Sequence, residues 1–159
     1  MKKFFKSLML ISVCLGLSAT VNAKTFRYAT TGDILGLDPH ANNEGPTNTM
    51  KGNIYGRMLH RKADLSLEPD LATKWEKLDA NTWRFSLRRG VKFHNGNDFN
   101  ADDVLFSYKR QTQEASDMSF ALATIKQINK VDDYTVDLIT KGPDPILLLN
   151  MPMFYIVDK

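Results

Sequence analysis

Apolar and polar residues alternate most cleanly over residues 82–88: Trp83, Phe85 and Leu87 fall on one face, and Arg84, Ser86 and Arg88 on the other. A period of two predicts a half-buried β-strand. Gly90 ends it, Val91 and Phe93 predict a further short extended piece, and Asn95-Gly96 is a strong turn pair. Residues 125–131 and 134–139 read as two more strands, with Asp132-Asp133 between them suited to a tight hairpin turn. Another strand is expected at 25–30, where Phe26 and Tyr28 alternate with polar neighbours.

The helical signals are of a different kind. Asn100 followed by Asp103 predicts a helix start with a capping box, Asp standing in place of Glu. Asp102 and Asp103 suit the positive end of that helix, and Val104, Leu105 and Tyr108 give it an apolar face; it should fray after Gln113. Met50, Ile54, Tyr55 and Met58 at helical spacing predict a helix over 47–59, weakened by Gly52 and Gly56 at roughly 1 kcal/mol each relative to Ala. A short helical turn is expected at 71–75 after Pro69, and the apolar run 146–150 begins another helix after the break at Gly142-Pro143-Asp144-Pro145. Residues 31–46 read as loop: they hold Gly32, Gly36, Gly45, Pro39 and Pro46, and Asp38-Pro39 favours a turn. There is no internal repeat or low-complexity tract, and the stretch from Tyr155 to Lys159 stops without a turn or polar tail.

The start of the chain is of another character. Lys2, Lys3 and Lys6 precede an apolar stretch at 8–21, shorter than the ~20 residues of a spanning helix. Val21-Asn22-Ala23 is a small-residue cleavage site, so residues 1–23 read as an export signal cut after Ala23, and the product as periplasmic. Cys14 is a poor lipidation site, because the branched Val13 precedes it. Cleavage would leave a chain with no cysteine, hence no disulfide and no thiolate chemistry. The formal charge of +3 comes from those three lysines alone; without them 18 basic residues face 18 acidic ones. A neutral body argues against a nucleic-acid surface. With 43% hydrophobic and 25% charged residues, the composition is that of an ordinary globular protein.

Candidate chemistry is sparse. His40, His60 and His94 have no second His or carboxylate at metal-ligand spacing, so they read as solvent-facing or loop histidines. Asp102 and Asp103 are neighbours on a helix and do not face each other, which leaves them as helix-start residues. No nucleophile elbow and no phosphate loop occurs. Trp75, Trp83, Phe85 and Phe93 read as core. The residues alone therefore describe an exported, non-catalytic α/β domain with no cofactor, no metal and no named ligand.

The run from Thr82 to Gly96, followed by Phe99-Asn100-Ala101-Asp102-Asp103-Val104, closely resembles the hallmark of the extracellular solute-binding proteins of family 5, the peptide- and nickel-binding components of ABC importers. Leu37-Asp38-Pro39 is similar to the family's early loop, and Glu68-Pro69-Asp70-Leu71-Ala72 with Trp75 to its next motif. Val131-Asp132-Asp133-Tyr134-Thr135-Val136 is similar to its hairpin, and Pro143-Asp144-Pro145 with Leu147-Leu148 to the loop and helix that follow. The dipeptide-binding branch is the nearest in wording. The resemblance covers nearly all of residues 24–159, but only the N-terminal part of a family whose members run several times longer.

It implies an α/β fold, the first part of a two-lobed binding protein. Residues 24–57 would start lobe one, 58–156 would form a small inserted α/β subdomain, and 157–159 would begin the return to lobe one, with the second lobe absent. It also implies a peptide ligand held between lobes, an ABC permease as partner, a monomer and no enzyme activity. Ligand contacts on this part would lie in the loop facing the cleft, at Asn42, Asn43, Glu44 and Gly45, with Thr31 behind them. The same importer carrying haem, nickel or an opine-like solute, and a truncated exported interaction module, are the alternatives.

Overall fold

In the computed structural model, which describes residues 31–159 together with Thr25, Arg27 and Ala29, the alternating segment lies inside a four-stranded antiparallel sheet. In chain order the elements are α1 (Gly45–Ile54), β1 (Leu59–Arg61), β2 (Leu67–Pro69), β3 (Ala72–Lys77), β4 (Thr82–Leu87), α2 (Ala101–Gln111), a 3-10 turn (Ser119–Leu122), β5 (Ile125–Asp132), β6 (Thr135–Thr140), α3 (Leu147–Asn150) and a second 3-10 turn (Met151–Met153). The large sheet runs β3-β4-β6-β5, and β1 pairs with β2 in a separate ribbon. The export signal, its cleavage site and Cys14 lie outside the described residues, as does most of the strand expected at 25–30; Thr25, Arg27 and Ala29 are exposed and carry no strand assignment.

The alternation in β4 sets the core. Phe85 and Leu87 are buried and Trp83 packs half-buried on the same side. Phe85 sits opposite Val136 and Trp83 opposite Leu138 on β6, and both partners are fully buried. On the other face of the strand Arg84 lies opposite Asp137, its guanidinium donating to both carboxylate oxygens at 2.7 and 2.8 Å. Against this sheet pack Ala101 and Val104 of α2, then Phe99, Leu122, Leu147, Met151, Phe154 and Ile156. Trp75 and Phe93 close the edge of the cluster.

The start of α2 has the expected cap. The Asn100 side chain accepts from the Asp102 backbone N–H, and the Asp103 carboxylate accepts from the Asn100 N–H, each at 2.8 Å. The Asn95-Gly96 turn also forms. Gly96 takes φ +92°, a region that favours glycine, and its N–H donates to Phe93 O at 2.9 Å. The Asn95 and Asn97 side-chain amides both donate to one oxygen of Asp158, at 2.6 and 2.8 Å, strapping the last residues over the turn.

Two expectations are corrected. Residues 71–75 are not a helical turn: Ala72–Lys77 is β3, paired with β4 through a bulge between Ala72 and Lys74. The long-range ladder outweighs the local signal after Pro69. The helix expected at 47–59 ends at Ile54, because Tyr55 is extended (φ −107°, ψ 136°) and the chain turns into β1. Met58 and Leu59 are fully buried, but by the main core rather than by a helix face. Gly56 makes the turn possible, since a Cβ there would stand 2.9 Å from Leu71 Cδ1.

Candidate functional site

The loop before α1 is held by a chain of side chains drawn from distant elements. Arg110, near the C-terminal end of α2, donates to both oxygens of Asp38 at 2.8 and 2.6 Å. The same guanidinium approaches His40 Nδ1 at 2.9 Å, and His40 Nε2 meets Tyr155 O at 3.0 Å. The His40 N–H donates to Asp38 at 2.9 Å, and the Ser116 hydroxyl donates to His40 O at 2.7 Å. His40 is 2% exposed. The expectation of a solvent-facing or loop histidine thus fails in its first half: His40 is in a loop but buried, because its partners come from residues far along the chain. Hydrogen bonds from Arg110 hold the Asp38 carboxyl down to about 2. Burial pushes the His40 imidazole down, and the nearby Arg110 charge adds to that, against the pull of the Tyr155 carbonyl.

A second anchor is Lys51, whose side chain is fully buried and donates to the Asn42 carbonyl. Burial lowers its pKa, while Asp38, Glu44 and Asp117 favour its charge. Sequence reasoning gave no sign of this lysine, of Arg110 or of Tyr155, since nothing local marks a charged residue for burial.

The five expected ligand residues fall together in part. Thr31 is exposed, and the segment that follows folds back on the start of α1: Leu35 N donates to the Thr47 hydroxyl at 3.0 Å, and a Cβ on Gly32 would touch Pro46 at 3.4 Å. Asn42 is half-buried and gives its carbonyl to Lys51. Asn43 is exposed and accepts from the Asn48 amide at 2.9 Å. Glu44 stands at the N-cap of α1 with no side-chain capping bond; its Oε1 is buried and unpartnered. Gly45 is exposed and opens the helix. These groups present hydrogen-bond donors and acceptors, and both ring nitrogens of His40 are already engaged.

His60 faces Glu68 at 3.9 Å and His94 is exposed. Among the described residues no group of three His, Cys, Asp or Glu side chains converges, and no helix is long and apolar enough to cross a membrane. An open apolar groove of about 320 Å³ runs between Tyr55, Leu71, Val91, Phe93 and Ile156.

Residues 66–159 match the family model described as bacterial extracellular solute-binding proteins, family 5 Middle, and the chain belongs to that family. It is 32% identical to the dipeptide-binding protein of Escherichia coli K12, over 89% of this chain and 30% of that protein. It is 33% identical to heme-binding protein A of Haemophilus influenzae, over 83% of this chain and 28% of that protein. Among solved structures it matches the binding protein MoaA of Agrobacterium tumefaciens R10 in complex with mannopinic acid, with a TM-score of 0.72 and 32% identity, over 80% of this chain and 28% of that one. The periplasmic binding protein DppA of Helicobacter pylori in complex with the peptide STSA matches with a TM-score of 0.70 and 30% identity, over 80% and 29%. The expected α/β fold of this family is therefore present, and the chain spans less than a third of the relatives it matches.

Proposed function

We propose that this chain is the N-terminal portion of an exported receptor that delivers short peptides to an ABC permease. The carrying observation is the loop at 38–45. It is clamped by Asp38–Arg110 and His40–Tyr155 at its start and by Lys51 in its middle, so that Asn43, Glu44 and Gly45 are offered from a fixed frame. A preorganised polar loop contributes affinity because little ordering remains to be done on binding. Family membership and the peptide-binding relatives support peptide as the cargo. Residues 1–23 direct export to the periplasm, 24–57 open lobe one, 58–156 form the inserted subdomain and 157–159 lead back.

In this reading ligand is buried by closure of a second lobe, and closure is what the permease recognises. Thr31, Asn42, Asn43, Glu44 and Gly45 form one wall only. The chain alone acts as a monomer that binds dipeptides very weakly or not at all, and it catalyses nothing. Calorimetry tests this: no saturable heat is expected with dipeptides, and micromolar binding to the chain alone would overturn the dependence on a second lobe. The relative named for haem favours one second reading of the cargo. A Soret shift on haem addition to the complete reading frame, without dipeptide binding, would select it.

A further inference from the structure

Of the three histidines His40 alone is buried, and it stands where several segments meet. Its own loop brings Asp38, α2 brings Arg110, α1 brings Lys51, and the segment after the second 3-10 turn brings Tyr155. Two charged or titratable groups lie further out. Tyr55, just past α1, donates its hydroxyl to Leu37 O at 2.9 Å, and the exposed Asp117 donates its backbone N–H to Ala41 O at 3.3 Å. Two cations, Arg110 and Lys51, and one bonded carboxylate thus act on the imidazole. That carboxylate is already committed: Arg110 takes both Asp38 oxygens, and the His40 N–H takes Oδ1 as well. Nδ1 meets an Arg110 nitrogen at 2.9 Å, so a proton there sets one N–H against another. The bonds that close the loop around this ring are Arg110 to Asp38, Ser116 Oγ to His40 O and Asp117 N to Ala41 O. All three fall on residues 38–41, and none belongs to the sheet.

We propose that His40 is an acid-operated latch: a second proton on its ring, at Nδ1, frees residues 38–41 from α2 and from Tyr155 while the four-stranded sheet stays closed. An imidazole that must be neutral when its loop is shut, and is free to charge when the loop is open, biases the loop toward the open state as pH falls. Burial and the Arg110 charge push His40 below its ordinary 6.5, the direction this requires. Asp38, held down to about 2, stays ionised while the latch works. Such an opening is local, confined to a segment joined to the body by a few polar bonds rather than by apolar packing. Its use rests on the peptide reading above: the frame behind Asn43, Glu44 and Gly45 is withdrawn on one side, and the ligand wall loosens in acid.

The test follows the full chain by NMR from pH 7.5 to 4.5, reading amide protection relative to the intrinsic exchange rate at each pH. Protection at His40, Ala41 and Asp117 should fall below pH 6.5 by up to about tenfold per pH unit, while that in β4 and β6 holds. Arg110→Gln, which removes the facing cation and leaves the burial, should shrink the fall. His40→Gln, whose amide can still donate to Tyr155 O, should abolish it. Loop amides that keep their protection down to pH 4.5, or loop and sheet amides that lose it together, would overturn the latch, as would an undiminished fall in His40→Gln. The titration of the native chain decides the matter even where a variant does not fold. No peptide is present, so failure here leaves the peptide reading standing, and no outcome of the dipeptide calorimetry touches the latch.

Discussion

Arg110 and Asp38, 72 positions apart, meet in a two-pronged pair whose guanidinium also serves His40. Because Nδ1 of His40 receives an Arg110 N–H, the imidazole carries its proton on Nε2 and donates it to Tyr155 O. A second proton on Nδ1 would stand against the guanidinium at 2.9 Å. The clasp therefore requires a neutral histidine beside an ionised aspartate.

Acid should loosen it in two stages. His40 is pushed below its ordinary 6.5, so the unfolded chain takes up a proton first as pH falls. The stability from His40 is complete above 6.5 and declines below it, by at most about 1.4 kcal/mol per pH unit. Asp38 adds stability above 3.8 that is lost as pH falls toward about 2. Urea midpoints measured from pH 7.5 down to 4.5 should fall for the native chain and flatten in His40→Gln; an unchanged slope in the variant would remove His40 as the cause.

Arg110→Met should cost about 1–2 kcal/mol, since it leaves a buried imidazole nitrogen without a donor and removes the two-pronged contact from a half-exposed carboxylate. Arg110→Lys should recover only part of this, because an ammonium cannot make the planar double contact. In a double-mutant cycle with Asp38→Asn the two losses should be clearly less than additive, and simple additivity would show that the pair is not coupled.

Asn100→Ala should cost about 1 kcal/mol through loss of the α2 cap. Amide exchange should quicken at Asp102 and Asp103 before it changes in β4 and β6. Equal loosening of the sheet would mean that the cap acts on the whole core.

Gly56→Ala should cost about 1–3 kcal/mol by overpacking against Leu71. The backbones cannot move apart easily, since Leu71 N–H donates to Arg57 O at 3.0 Å and Gly56 O accepts from Ile156 N at 3.0 Å, so the Leu71 side chain, close at Cγ as well as Cδ1, has to give. Leu71→Ala in the Gly56→Ala background should return part of the loss, and a further additive drop would rule out the steric account.

The parts legible in the sequence were those whose cause is local. The capping box at Asn100 and Asp103, the Asn95-Gly96 turn, the β5–β6 hairpin and the alternation of β4 each depend on a few adjacent residues. What escaped depends on partners far along the chain. β3 exists because β4 pairs with it, and β1 because β2 returns beside it. His40 is buried by Tyr155, 115 positions away, and no local pattern encodes that. The loop at 42–45 was visible as polar and glycine-bearing, but its anchors Lys51 and Arg110 look like ordinary surface charges until the fold brings them in.

The strap from Asn95 and Asn97 to Asp158 also bears on how the molecule ages. An Asn-Gly pair loses its side-chain amide when the following backbone nitrogen attacks it. Here the Gly96 nitrogen is engaged with Phe93 O, and the Asn95 amide is held 2.6 Å from Asp158, so the native turn slows that attack. Once the amide is lost, the donor becomes a second carboxylate facing Asp158 at the same distance, and attraction turns to repulsion. A single slow chemical event at an exposed turn would thus weaken the strap at Asp158 and leave residues 157–159 to Asn97, Ser107 and Asp103.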